Sequence, residues 1–141
     1  MKYFLSLVCL MLLLSCNKGF DGNLEQLPGY WEIQKVVVEG KTIREYRTNA
    51  VVDFIELNSD STGVRKKLAP RLDGTFAKTQ SSEQFSIRYE DSRCFLDYKT
   101  PYDSWSEEII ALEEGVLITT NEDGLVYYYF RFEPQNFLIN E

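Results

Sequence analysis

The chain has 141 residues, 15 of them Lys or Arg and 22 Asp or Glu, which gives a formal net charge of −7. This acidic balance argues against a nucleic-acid partner, because a basic stripe is needed to displace the counterions of a phosphate backbone. One basic cluster, Arg65-Lys66-Lys67, is interpreted as the solvated face of a strand or turn, or as a contact with anionic lipid. The chain has no histidine, so the commonest general base and the commonest metal ligand are both missing.

The N-terminus carries one basic residue, Lys2, followed by a short apolar run that ends at Leu13-Leu14-Ser15-Cys16. This pattern is typical of a secretory signal peptide, and the run is shorter than the roughly 20 apolar residues of a membrane span. Residues 13–16 resemble the lipobox of bacterial lipoproteins. That resemblance implies cleavage before Cys16, a lipid on its sulfur, an acylated amine and therefore a lasting membrane anchor. The alternative is an ordinary secretory peptide with a cysteine at its end.

Three regions follow from this reading. Residues 1–15 are the predicted signal peptide, residues 16–26 the lipidated cysteine and a polar flexible tether, and residues 27–141 one domain. Cleavage would leave 141 − 15 = 126 residues, which suits a single hydrophobic core. With Cys9 removed and Cys16 lipidated, Cys94 has no disulfide partner, and its strand-like surroundings predict a small buried side chain.

From Leu27 onward, short runs rich in Val, Ile, Tyr and Phe alternate with Gly, Asn, Asp, Ser and Pro at intervals of about ten residues, which predicts an all-β domain. Connections this short make neighbouring strands antiparallel, and such a meander closes most naturally into an up-and-down barrel of about 8–9 strands. Residues 42–49 are left as a further short strand or a helical turn. The predicted strands are 30–38, 50–58, 63–69, 75–80, 84–90, 93–99, 104–112, 115–121 and 124–133.

The last predicted strand is unusual because residues 125–132 are apolar or aromatic on both faces. A strand buried on both faces near the closure of a barrel has this pattern, and so does an edge that something else covers. Period two places either Tyr127 and Tyr129 or Tyr128 and Phe130 toward the lumen, and the sequence leaves this choice open.

Two motifs resemble a known superfamily. The first strand opens with Gly29 and Trp31 in a Gly-x-Trp pattern, and Arg131 lies in the last strand, an arrangement similar to lipocalins and fatty-acid-binding proteins, the calycins. Residues 52–63 resemble the second strand and turn of small lipocalin-like bacterial lipoproteins, with Ser61 in place of the first glycine of that turn. The resemblance implies a lipocalin-like barrel in which Gly29, Trp31 and Arg131 form a structural motif at one end.

Barrels of about eight strands are either filled by side chains or hold one small ligand. Aromatic residues with polar tips are typical of the lining of such a site. Three of them, Tyr98, Tyr102 and Trp105, lie around Pro101 near one mouth of the barrel, where they could contact a ligand or a partner. The candidate ligand-binding residues are Tyr98, Tyr102, Trp105, Phe85, Tyr89, Tyr127 and Tyr129.

No catalytic or metal site is expected. Glu107 and Glu108 are neighbours in a predicted strand and therefore point to opposite faces, and no other carboxylate pair has a defined separation. Asn58, Asp60 and Thr62 alternate in a turn, but no downstream bidentate acid completes a calcium site. We therefore expect neither an enzyme nor a cofactor.

Together these observations predict a lipid-anchored lipoprotein of the Gram-negative envelope that binds a small hydrophobic ligand in its lumen. Surface-exported lipoproteins of some groups carry a run of acids soon after this cysteine, and residues 17–21 do not resemble them. The resemblance to lipoproteins therefore implies the periplasmic face of the outer membrane. The alternative is a protein-interaction or inhibitor module with a filled barrel, which meets a protein partner through mouth loops such as 102–105. A lumen of several hundred Å³ would support the first reading and a packed interior the second.

Overall fold

The computed structural model describes residues 19–134. The predicted signal peptide, the predicted lipidation site Cys16 and residues 135–141 lie outside this part of the chain. One 3-10 turn, Leu24–Gln26, precedes the strands. The strands are β1 (Gly29–Val38), β2 (Lys41–Glu45), β3 (Val52–Leu57), β4 (Thr62–Pro70), β5 (Phe76–Glu90), β6 (Arg93–Lys99), β7 (Ser104–Glu113), β8 (Val116–Asn121) and β9 (Val126–Arg131).

Eight of these strands form a closed barrel. From β3 to β9 each strand pairs antiparallel with the next, and β1 closes the ring by pairing with both β3 and β9. The extra strand β2 pairs only with the far half of β1, from Lys35 opposite Glu45 to Val38 opposite Lys41. The predicted all-β, antiparallel, up-and-down closed barrel is therefore confirmed, and it is consistent with a lipocalin-like fold. Within residues 19–134, no helix has the length and apolar character needed to cross a membrane.

Two predicted strands need correction. Residues 75–80 and 84–90 were predicted as separate strands, but both belong to β5, which is 15 residues long. The polar residues between them continue the strand, because the segment contains no Gly or Pro to break it. The ambiguous segment 42–49 forms a strand in its first part, within β2.

The turn between β4 and β5 folds against the outside of the barrel. The pairing of β4 with β5 shifts register between Lys66 and Leu68, an irregularity of the kind that bends strands. Beyond this bend, Phe76 stacks on Tyr30 with ring centroids 4.6 Å apart, and Tyr30 also contacts Phe54 at 4.7 Å. An aromatic cluster therefore forms outside the barrel wall.

The interior is built by alternation along the strands. On β9, Tyr129 is buried in the core and Tyr127 packs against it, whereas Phe130 is exposed. This decides the parity that the sequence left open: Tyr127, Tyr129 and Arg131 face inward. The other buried core residues are Leu27, Trp31, Ile55, Phe85, Cys94, Leu96, Tyr98, Ile109, Leu112 and Leu117.

The segment before β1 lies across the end of the barrel that carries Trp31, here called the closed end. The Phe20 amide donates a hydrogen bond to the Ser92 carbonyl at 2.7 Å, and both Phe20 and Leu24 pack against the core. Leu27 is fully buried. Residues 19–26, which were assigned to the tether, are thus in contact with the barrel.

Cys94 provides a direct test of the interior packing. Its side chain is fully buried, and this burial raises the pKa of the thiol to about 11. Because the thiolate is the reactive form, we expect a disulfide reagent at pH 8 to leave folded residues 17–141 unmodified. In guanidinium the same reagent should modify one thiol. Equal reaction rates in the folded and the unfolded protein would contradict this packing.

Candidate functional site: a filled lumen and an apolar outer face

The closed end is sealed by Trp31. Its ring is fully buried, and its Nε1 donates a hydrogen bond to the Leu27 carbonyl at 2.8 Å. The Arg131 guanidinium lies 3.9 Å from the centre of the Trp31 ring and donates hydrogen bonds to the carbonyls of Pro28, at 2.8 Å, and of Gln26. Burial lowers the pKa of Arg131. The stack and the two carbonyls together tie the first strand to the last.

Gly29 makes room for this contact. Its backbone has a φ of +125°, a region that favours glycine, and a Cβ there would collide with Nη1 of Arg131. The structure thus brings Gly29, Trp31 and Arg131 into direct contact. Their polar atoms are directed at backbone carbonyls, which is a structural arrangement and not a binding site.

Next to the tryptophan, the lumen holds a buried network of ion pairs centred on Arg65. Its Nε donates to Glu83 at 2.6 Å, and its Nη1 lies 3.3 Å from Oε1 of Glu107. Glu107 also accepts hydrogen bonds from Thr119 and from the indole of Trp105, both at 3.1 Å. Arg65 and Glu107 therefore each have several partners.

The guanidinium of Arg65 also lies 4.2 Å from the centre of the Tyr98 ring. Burial acts to lower the pKa of Arg65, but electrostatic interactions with Tyr98, Glu107 and other neighbours outweigh it, and the pKa is raised well above its usual value. A second ion pair joins Lys67 to Asp53 at 2.5 Å. Among the described residues, every buried side-chain nitrogen and oxygen has a hydrogen-bond partner.

This network occupies the lumen. The space left between its walls is about 10 Å³. That volume is at the lower limit for one water molecule, and ligand sites are typically about 300–1,000 Å³. At this level the barrel is filled by its own side chains. The residues around that space are Trp31, Asp53, Ile55, Arg65, Leu96, Tyr98, Glu107, Leu117, Thr119 and Tyr129.

Most of the predicted ligand-binding residues form part of this packing. Tyr98 stacks on Trp105 with ring centroids 5.1 Å apart and contacts Phe85 edge-to-face at 5.5 Å. Tyr127 and Tyr129 also face the interior. Burial raises the pKa of both Tyr98 and Tyr129, as expected for phenols removed from water.

The other two candidates lie at opposite ends of the barrel. Tyr89 is 61% exposed at the closed end, with its ring 6.5 Å from that of Phe20. Tyr102 is 96% exposed in the turn between β6 and β7. Of the predicted cluster around Pro101, Tyr98 and Trp105 stack on each other inside the barrel, whereas Tyr102 is exposed in the turn. Tyr89 lies at the other end of the barrel.

The outside of β7, β8 and β9 carries a continuous set of apolar side chains. Three pairs of outward residues face each other across β8 and β9, two of them wholly apolar: Val116 opposite Phe130, and Ile118 opposite Tyr128. Their immediate neighbours in sequence, such as Leu117, are buried, so alternation directs these side chains outward. We call this surface the apolar outer face; its members are Ile110, Ala111, Val116, Ile118, Val126, Tyr128 and Phe130.

Much of this face is accessible. Ile110, which lies at a register shift between β7 and β8, is 51% exposed, and Phe130 is 47% exposed. At one side, the ammonium of Lys35 lies 4.5 Å from the centre of the Tyr128 ring. Contiguous exposed apolar surfaces of this kind mark sites of protein or membrane interaction. This face explains why the last strand is apolar on both sides.

A groove of about 930 Å³ lies between the β4–β5 turn and the segment after β9. Its apolar walls include Leu72, Phe76 and Phe132. Pro134 also lines it, and the sequence continues from there into residues 135–141, outside the described part of the chain.

No protein-family model, no curated protein and no solved structure matches this chain. In the part of the chain that the structure describes, no three His, Cys, Asp or Glu side chains come together as metal ligands.

Proposed function

We propose that this protein is a non-catalytic interaction module of the Gram-negative envelope. It is anchored by lipid on Cys16 at the periplasmic face of the outer membrane, and it binds a protein partner through the apolar outer face. The observation that carries the proposal is the filled lumen, with about 10 Å³ of free space among its lining side chains. This volume favours the interaction module over the small hydrophobic ligand that the sequence first suggested.

Admission of a ligand to the lumen would have to disrupt the buried ion network. Separating Arg65 from Glu107 without replacing the lost contacts costs about 3–5 kcal/mol, because a charge is left buried and unpaired. A hydrophobic ligand offers no group that could take over those contacts. Its affinity would be reduced by this amount before any gain from its own burial.

The apolar outer face has the composition of the centre of an interface, with aromatic and branched aliphatic side chains. The two ends of this face are acidic: Glu113 ends β7 and Glu114 follows it in the turn to β8, and Glu122-Asp123 lies between β8 and β9. Complementarity therefore favours a partner that presents an apolar patch with a rim of Lys and Arg. Raising the salt concentration should weaken such a complex by slowing its association.

The proposal can be tested by photo-crosslinking in the native host. A photoreactive phenylalanine analogue is placed at Phe130, within the apolar outer face, and separately at Leu72, which is 72% exposed in the β4–β5 turn. We expect one discrete crosslinked protein from position 130 and not from position 72. Its yield should fall when Ile110→Asp is introduced into the same chain.

Native mass spectrometry of residues 17–141 purified without detergent gives the opposing outcome. A stoichiometric small molecule released on denaturation, together with the same crosslinked proteins, or none, from positions 130 and 72, would overturn the proposal. The apo mass and a crosslink specific to position 130 would support it.

A further inference from the structure

The closed end of the barrel is in contact with the segment that follows Cys16 in the sequence. The backbone of Gly19 touches Ser92 so closely that a Cβ at Gly19 would lie 2.7 Å from the Ser92 Cβ. The next residue, Phe20, donates its amide to the Ser92 carbonyl and packs its ring against the core. The N-terminal segment is therefore attached to the turn between β5 and β6.

Covalent geometry limits how far this turn can be from the anchor. Cys16 and Gly19 are three residues apart, and a fully extended chain spans at most about 3.3–3.6 Å per residue. If lipid holds Cys16 at the bilayer surface, Gly19 lies within about 11 Å of it. A tether that ended only at Leu27 would give the barrel several times this freedom.

We infer that the closed end rests on the lipid surface, with Tyr89 at headgroup level and the opposite end pointing away from the bilayer. This inference rests on the lipid anchor of the proposed function and adds the orientation of the domain. The surface that faces the lipid is the β5–β6 turn and the residues beside it.

The chemistry of this turn fits a bilayer surface. Tyr89 is exposed, and an amphipathic ring of this type is enriched where membrane meets water. Arg88 pairs with Glu90, Arg93 pairs with Glu108 at 2.5 Å, and Asp91 in the turn adds a further carboxylate near Arg93. The turn therefore brings no excess of positive charge, and we expect it to rest on zwitterionic lipid without needing anionic headgroups.

The same orientation leaves the far part of the proposed interaction face free. β9 runs from the far end of the barrel to the closed end, where Arg131 is its last residue, so Phe130 lies on the side of the barrel next to the lipid and Tyr128 lies farther from it. Tyr102 lies beyond the far end of β6, a strand of seven residues. At about 3.3 Å per residue, that strand separates Tyr89 from Tyr102 by up to about 20 Å.

The test uses full-length lipidated protein in phosphatidylcholine vesicles, some of whose headgroups carry a nitroxide quencher. A fluorophore is attached to Tyr89→Cys or, as the matched control, to Tyr102→Cys. Both variants also carry Cys94→Ala, because Tyr89 lies directly opposite Cys94 and its replacement would place two thiols side by side. We expect quenching at position 89 to be several-fold stronger than at position 102. Inserting twelve Gly and Ser residues between Lys18 and Gly19 should remove that difference.

The anchor itself is checked on the same samples by flotation with the vesicles and by the mass of the N-terminal peptide. A lipidated protein that floats but shows equal quenching at both positions would overturn the orientation and leave the anchor standing. A protein without lipid on Cys16, which stays at the bottom of the gradient, would overturn the anchor, and the orientation with it.

Discussion

Replacing Arg65 with methionine is expected to lower the free energy of unfolding by about 3–5 kcal/mol. The substitution keeps a long side chain in the lumen but removes the cation that faces Glu83 and Glu107. Glu107 is then left as a buried carboxylate whose remaining donors are Thr119 and Trp105. Urea unfolding followed by tryptophan fluorescence measures the loss as a lower midpoint with an unchanged slope.

Lys66→Met is the matched control on the next residue of the same strand. Lys66 pairs with Glu56 at 2.6 Å on the outside of the barrel, where the two side chains are 40% and 47% exposed. Exposed pairs of this kind contribute about 0–1 kcal/mol, so the same substitution should change stability little. Similar losses from the two variants would mean that Arg65 is not a buried ion pair.

A double variant separates charge from packing. With Glu107→Leu added to Arg65→Met, neither member of that pair remains as an uncompensated charge, and replacing whole buried pairs by apolar residues is often neutral. We expect the double variant to recover much of the stability lost in Arg65→Met. A further loss on adding Glu107→Leu would instead show that the hydrogen bonds of Glu107 to Thr119 and Trp105 carry most of its contribution.

The strands could be predicted from the sequence because turn residues and β-branched runs alternate so regularly. Phe85, a candidate lining residue, is buried in the core, and Ile87 two residues later packs against that core, as the period of a strand requires. The same reasoning failed at β5, where a polar stretch was taken for a break. Polar residues end a strand only when they come with a turn signal such as Gly or Pro.

The lumen could not be predicted, since alternation gives the period of a strand but not which face is inside. On β4 the apolar residues Val64 and Leu68 alternate with Arg65, and hydrophobicity alone would place Arg65 in solvent. Arg65 is buried because it pairs with Glu83 and Glu107, which are 18 and 42 residues away in the sequence. Partners so distant leave no local signal.

The candidate aromatic residues show a related limit. Five of the seven do face the interior, as a lining would. Whether such a lining surrounds a cavity depends on the summed volume of side chains from eight strands. A few bulky side chains are enough to fill the space, such as Trp105 stacked on Tyr98. Composition predicted the aromatic interior but not that it would be filled.

Trp31→Ala is expected to lower the free energy of unfolding by about 3–5 kcal/mol, the usual range for truncating a buried aromatic side chain. The variant removes a fully buried indole together with its hydrogen bond to the Leu27 carbonyl and its stack with Arg131. Thermal unfolding monitored by circular dichroism, with urea unfolding at one temperature, measures the loss. Trp31→Phe keeps a ring beneath Arg131 and should lose clearly less.

A double-mutant cycle with Arg131→Met then isolates the contact between the two side chains. A guanidinium stacked on an indole contributes about 0.5–2 kcal/mol. The loss of stability in the double variant should therefore be smaller than the sum of the two single losses by that amount. Strictly additive losses would mean that Arg131 acts through the carbonyls of Gln26 and Pro28 alone. In that case the arginine would fasten the segment before β1 to the last strand independently of the tryptophan, and the closed end would be held by two separate contacts.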